Sequence, residues 1–275
     1  MQTANDQLMR FIFTQQAVRG AIVKLNSSYQ AALINHQYPG EVASLLGKSL
    51  AAVTMLISTI KFKGRLIIQL QTNGIVKTLV AQSNQQLQIR GMAKYSIENV
   101  TQRPLLGDGQ LVLTLVDEQS ADQHQGIVHV SNNSLELSLE NYFRQSEQLN
   151  TRIWLFANSS TCAGLMLQEM PDCDTNFFEH LNLLTDTLKA EEILSLDFTS
   201  ILNRLYVEET IEVFNPDQVC FKCSCDKQKM QAAIKTLGYE EANQVFVDQP
   251  ELQVTCEFCN SSYNFNSSEI TKIFQ

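Results

Sequence analysis

Residues 220–259 open Cys220-Phe221-Lys222-Cys223-Ser224-Cys225, continue for thirty residues without cysteine, and close Cys256-Glu257-Phe258-Cys259. Five of the seven cysteines lie in this stretch. Two close pairs that a hairpin or short helix brings together supply the four thiolates of a tetrahedral zinc site. No histidine follows His180, so a site here is all sulfur. Spacing leaves the first pair open. Cys220 with Cys223 is a CxxC and Cys223 with Cys225 a CxC, and the rarer CxC spacing leans the choice towards Cys220. The last 56 residues, 220–275, are too few to hold together by apolar burial alone. A core of that size gives about 3–5 kcal/mol, so a metal is expected as its staple.

Immediately upstream the chain is acidic. Residues 170–219 carry eleven acids and two bases, Lys189 and Arg204, so the whole net charge of −9 resides there. Helical spacing is predicted at 176–189, 191–196 and 199–208. Phe177, Phe178, Leu181, Leu184, Leu188, Ile193, Leu202 and Leu205 give these helices apolar faces that need a partner. Helices under about 15 residues are marginal alone in water, so this stretch is expected to be a metastable linker.

Residues 1–170 read as a globular α+β domain. Strands are expected at 8–13, 18–25, 66–70, 75–81, 87–93, 110–116, 125–130, 152–157 and 161–167. Ser27 or Ser28 would cap a short helix to residue 35, and Ser134 a second one to residue 145. The strongest helix is 41–60, where Val42, Leu46, Leu50, Val53, Ile57 and Ile60 recur at helical spacing. Asn73-Gly74 marks a hairpin, because Asn-Gly accepts the positive φ that tight turns need. The expected organisation is therefore a 1–170 core domain, a 171–219 acidic helical linker and a 220–275 cysteine module.

Other classes find little support. The longest apolar stretch, 49–60, has 12 residues, against the roughly 20 of a membrane span. The N-terminus lacks a basic start followed by an apolar block, so a cytoplasmic protein is expected. An acidic chain repels phosphate backbones. Gly47-Lys48-Ser49 imitates the end of a P-loop but lies inside a helix, with Val42 where glycine is required. His36, His124, His129 and His180 are scattered. Cys162 reads as a small core residue, and Cys173 sits in a polar turn. A thioredoxin-like use of Cys256 and Cys259 lacks the βαβ setting that would lower a thiol pKa. A zinc-ribbon module for protein or nucleic acid would need a basic or aromatic face beside the cysteines. Residues 220–275 instead hold Lys222, Lys227, Lys229, Lys235 and Lys272 against seven acids.

Along nearly its whole length the chain resembles the redox-regulated heat-shock chaperone family, the thirty-three-kilodalton heat-shock protein of bacteria. In 1–170 the resemblance rests on Ala17-Val18-Arg19-Gly20, Asn35-His36 with Tyr38-Pro39, Lys61-Phe62 with Gly64, and Gln69-Leu70-Gln71. It continues through Arg90-Gly91, Leu106-Gly107-Asp108-Gly109, Tyr142-Phe143 with Ser146-Glu147-Gln148, and Leu167-Gln168 with Met170-Pro171. Arg204-Leu205-Tyr206 with Glu208-Glu209 resembles the family's linker. Phe221-Lys222-Cys223-Ser224-Cys225 and Cys256-Glu257-Phe258-Cys259, with Tyr263 and Phe265, resemble its zinc module. Cys220 is an extra cysteine, and Asn150 stands where proline is expected.

The resemblance implies one zinc ion on Cys223, Cys225, Cys256 and Cys259 in the reduced, idle protein, reversing the lean towards Cys220. It implies disulfides Cys223–Cys225 and Cys256–Cys259 on oxidation, with zinc release and unfolding of module and linker. The activity it implies is not enzymatic. It is ATP-independent holding of unfolding client proteins, with a homodimer as the active form.

Overall fold

A computed structural model describes residues 6–60, 64–97, 103–117, 119–120, 122–247 and 249–274. Lys61 and Phe62 of the family resemblance lie outside the described residues. The chain forms two compact units, Met1–Phe221 and Lys222–Gln275.

The first unit begins β1 (Gln7–Phe13), β2 (Val18–Leu25), α1 (Ser27–Leu33), α2 (Gly40–Ile57), β3 (Gly64–Thr72), β4 (Val76–Asn84) and β5 (Gln88–Tyr95). It continues with β6 (Gly109–Asp117), β7 (Gln123–His129), α3 (Leu135–Tyr142), a π-helical turn at Phe143–Glu147, β8 (Thr151–Ala157) and β9 (Cys162–Glu169). Then come α4 (Thr175–Thr185), α5 (Ala190–Ser195), α6 (Phe198–Leu205), β10 (Ile211–Val213), β11 (Asp217–Gln218) and β12 (Cys220–Phe221).

Two sheets result. One has the order β10-β1-β2-β9-β8, with β11 also pairing β1; the other runs β12-β5-β4-β3-β6-β7. α2 packs against strands of both. By length and composition α2 would suit a membrane, but 72% of it is buried inside the unit. Its apolarity is that of a central helix wedged between two sheets. Val42, Leu46, Leu50, Val53 and Ile57 join Val23, Ile68, Leu79 and Met166 in the main core.

Two local expectations are corrected. Ser27 and Ser28 do not cap α1, since both lie inside it and Asn26 at the N-cap makes no side-chain cap bond. The buried Asp6 carboxylate does that work from the start of β1, accepting the Ser28 N–H at 2.7 Å and also the Asn26 N–H. A carboxylate at a helix N-terminus satisfies otherwise orphaned donors. Asn73-Gly74 does join β3 to β4, but neither residue has positive φ. Glycine is required there by close approach instead, because a Cβ on Gly74 would lie 2.4 Å from the Leu106 carbonyl oxygen. Asn73 Oδ1 accepts the Asp108 N–H at 2.9 Å, tying this turn to Gly107-Asp108.

The acidic segment belongs to the first unit. Phe178, Leu181, Ile193, Phe198, Ile201, Leu202 and Leu205 pack on Phe11, Phe13, Val18, Ile22, Leu165 and Leu167 of the β1-β2-β9 face. Asp197 caps α6 by accepting the Ser200 N–H at 2.9 Å. Beyond α6 the chain becomes a strap across both sheets. Val213 pairs with Phe11 and Asp217 with Leu8 on β1, and Phe221 pairs with Ile89 on β5. These short strands were not expected.

The second unit holds α7 (Lys227–Leu237), α8 (Tyr239–Gln244), β13 (Leu252–Thr255), β14 (Ser262–Phe265) and α9 (Ser267–Phe274). Residues Val245–Val247 form a 3-10 turn. β13 and β14 form an antiparallel hairpin. Ile234, Ala242, Leu252, Phe265, Ile270 and Ile273 make a small apolar core.

Candidate metal centre

The cysteines of the second unit are carried by two pieces of local structure. Cys223 and Cys225 occupy the extended stretch that ends at Asp226, whose side chain caps α7 by accepting the Lys229 N–H at 2.8 Å. Cys256 and Cys259 occupy the turn of the β13–β14 hairpin. There the Cys256 N–H donates to the Ser261 carbonyl at 3.0 Å, and the Asn260 N–H donates to the Cys256 carbonyl at 2.8 Å. Asn260 takes φ of 54°, which Asn tolerates better than most residues, and this folds the turn back on itself.

The result is a four-sulfur cluster. All four Sγ atoms lie within 4.8 Å of one another. Cys223 Sγ is 3.7 Å from Cys256 Sγ, and Cys225 Sγ is 3.4 Å from Cys259 Sγ. A tetrahedral ion with metal–sulfur bonds of about 2.3 Å has sulfur–sulfur edges of about 3.8 Å. The spacing therefore fits a tetrathiolate ion. Cys256 is buried and the other three half-buried, as thiols.

The electrostatics point the same way. Burial pushes the Cys223 thiol up to about 12, against the pull of the Cys225 backbone N–H. Burial also acts on Cys259, but hydrogen bonds with the Ser261 side chain and backbone, joined by those with Cys225 and Cys223, together outweigh it and bring that thiol to about 7. Tyr263 donates its hydroxyl to Cys225 Sγ at 3.2 Å, and this bond is the main cause raising the phenol to about 12. Four sulfurs this close cannot all ionise without a cation among them. Lys229 donates to the Ser224 carbonyl between Cys223 and Cys225, and Lys227 pairs with Glu269 at 2.7 Å.

The structure thus brings together Cys223, Cys225, Cys256 and Cys259. Cys220 is not among them, because its strand belongs to the first unit. Cys220 lies exposed on β12, and its N–H donates to the Leu87 carbonyl at 3.1 Å. Cys162 is fully buried in the main core, and burial raises its thiol well above the usual range. Cys173 is half-buried, its thiol also raised by burial. Lys48 pairs with Glu136 at 3.0 Å and Ser49 bonds back to the Leu45 carbonyl, so Gly47-Lys48-Ser49 is ordinary α2 sequence. The sequence reading did not foresee Ser261 as a donor to the site. Tyr263 was noted only through the family pattern; its place two residues past the turn was the available signal.

The family described as Hsp33 protein matches residues 6–266. The chain is 40% identical over 277 residues to the 33 kDa chaperonin of Shewanella loihica, covering 99% of this chain and 96% of that protein. It is also 40% identical over 274 residues to the 33 kDa chaperonin of Shewanella putrefaciens, covering 98% and 96%. Its fold is similar to the crystal structure of the 33 kDa chaperonin, a heat shock protein 33 homolog, from Thermotoga maritima. That similarity has a TM-score of 0.82 at 18% identity, with 97% of each chain covered. With a family match across both units and relatives matched end to end, the chain belongs to the Hsp33 family of chaperones.

Proposed function

We propose that this chaperone is an ATP-independent holdase switched by the redox state of its cysteines, idle when reduced and metal-bound. The observation that carries the reading is the cluster of four sulfurs within 4.8 Å, set in a unit whose apolar core is small. Cys223, Cys225, Cys256 and Cys259 would hold one zinc ion per chain. Bound zinc supplies a cross-link and neutralises the thiolates, and structural zinc contributes on the order of 10–16 kcal/mol to small modules. An apolar core of this size offers about 3–5 kcal/mol.

Activation follows from that imbalance. An oxidant of the peroxide class takes two electrons from each cysteine pair, and its oxygens leave as water. One S–S bond forms per pair, Cys223 with Cys225 and Cys256 with Cys259. Disulfide sulfurs no longer serve as thiolate ligands, so the unit loses its cross-link and unfolds. In this reading α4, α5 and α6 are the linker 171–219 and come away from the β1-β2-β9 face, offering apolar surface to unfolding proteins. Their acids keep the complex in solution. The reading makes the protein cytoplasmic, a homodimer when active, and neither an enzyme nor a binder of nucleic acid or membranes.

The test measures zinc content and suppression of client aggregation on one sample, before and after peroxide. The expected result is one zinc per chain with weak suppression before, and zinc loss with strong suppression after. Equal suppression in both states would make the cysteine unit a structural knob only.

A further inference from the structure

The second sheet has an outer face that the main core does not use. Register places Met92 beside Val80, Val80 beside Gln69, Gln69 beside Val112, and Val112 beside Ile127. This is a transverse row over β5-β4-β3-β6-β7, apolar at four of its five positions. Five strands about 4.8 Å apart span roughly 19 Å, the length of about six extended residues. None of the four apolar side chains belongs to either apolar cluster of the unit. Ile127 is 57% exposed and Val80 and Val112 are half-buried, while Met92 at the β5 end is buried.

The rows beside it give the face its charge. Arg90 lies opposite Gln82, Lys94 opposite Thr78, and Arg65 opposite Asn84, all on the same side of the pleat. No aspartate or glutamate occupies an outward position on β3, β4, β5, β6 or β7. In a chain of net charge −9, this is a surface that does not repel acidic partners.

We propose that this outer face docks extended segments of unfolded client proteins in which apolar residues are interspersed with aspartate or glutamate. Apolar side chains lie along the Val80, Val112 and Ile127 part of the row, and the acids meet Arg65, Arg90 and Lys94. The proposal rests on the client-binding part of the reading above and not on its redox part, because the face is present while the thiols are reduced. It is a weak, standing site, distinct from the surface beneath α4, α5 and α6.

The test uses the full chain with its thiols reduced and a fluorescent peptide of alternating Leu and Glu, compared with its Leu and Lys twin. The Glu peptide should bind and the Lys twin should not. Ile127→Glu and Val112→Glu should each weaken binding about tenfold, near 1.4 kcal/mol. Arg90→Glu with Lys94→Glu should transfer the preference to the Lys twin, and salt should weaken both effects. Equal binding of the twins, or no change in these variants, would overturn the proposal. So would self-association of the wild-type chain that the same variants abolish, since a second copy would then cover the face. Peroxide-dependent suppression of aggregation is read separately, so either idea can fail while the other stands.

Discussion

The Phe221 backbone N–H donates to Ser28 Oγ at 2.9 Å, joining the last residue before the cysteine unit to the first turn of α1. Ser28 Oγ in turn donates to Asp6 Oδ2 at 2.9 Å, so one buried hydroxyl closes the strap of β10, β11 and β12. Ser28→Ala leaves the Phe221 N–H and one Asp6 lone pair without a partner. The expected cost is about 1–3 kcal/mol. Urea unfolding should show a lower midpoint at unchanged slope, and hydrogen exchange should speed up at Cys220 and Phe221 first.

Tyr206 sets how firmly α4 and α6 stay down. Its hydroxyl lies 2.6 Å from Thr185 Oγ1, and its ring packs edge-on to Phe13 at a centroid distance of 5.1 Å. Thr185 already donates to the Leu181 carbonyl, so the Tyr206 hydroxyl is the donor to Thr185. Tyr206→Phe should cost about 1 kcal/mol, and Tyr206→Ala about 3–5 kcal/mol, as for other buried aromatics. The alanine variant should suppress client aggregation even while reduced. An alanine variant as idle as wild type, with α6 equally protected, would show that these helices do not gate activity.

Cys220→Ser should leave metal content and the thiolate spectrum of a cobalt-substituted protein unchanged, because Cys220 is pinned on β12. Cys256→Ser should lose the four-sulfur signature and unfold the second unit. Metal loss in the Cys220 variant would contradict the ligand set.

The acid limb of stability has an identifiable contributor in Asp197. The Ser200 backbone N–H, and then the Ser200 hydroxyl, hold its carboxyl below the usual range. A lowered folded value adds stability that is present above the unfolded value of about 3.9. That stability fades as pH falls through the lowered folded value. Asp197→Asn keeps the cap acceptor but removes this titration. The variant's α6 protection should therefore depend less on pH below about 4 than the wild type's, and an unchanged pH profile would show that the cap is not the titrating group.

Much of this was legible in the sequence. The apolar spacing of Val42 to Ile57 located α2, and Leu66, Ile68 and Leu70 located β3, because burial on one face imposes a period. Cys223, Cys225, Cys256 and Cys259 announced the site, although spacing alone leaned towards Cys220. What separates Cys220 from the cluster is its pairing with Gln88 on β5, a long-range contact that no local pattern encodes. The same holds for β10 and β11, since strands of three and two residues are too short to show a period. Asp6 capping α1, and Leu106 crowding Gly74, likewise arise from chain segments brought together only by the fold. The acidic helices were foreseen, but not the face that receives them.

Hydrogen exchange on one sample, before and after peroxide with zinc removal, tests the central claim most directly. In the reduced, zinc-loaded protein the amides of α4, α5 and α6 should be protected, as should those of β3. After oxidation the α4–α6 amides should exchange within seconds while β3, with Leu66, Ile68 and Leu70 in the main core, stays protected. If α4, α5 and α6 keep their protection after zinc is lost, release of these helices is not the switch.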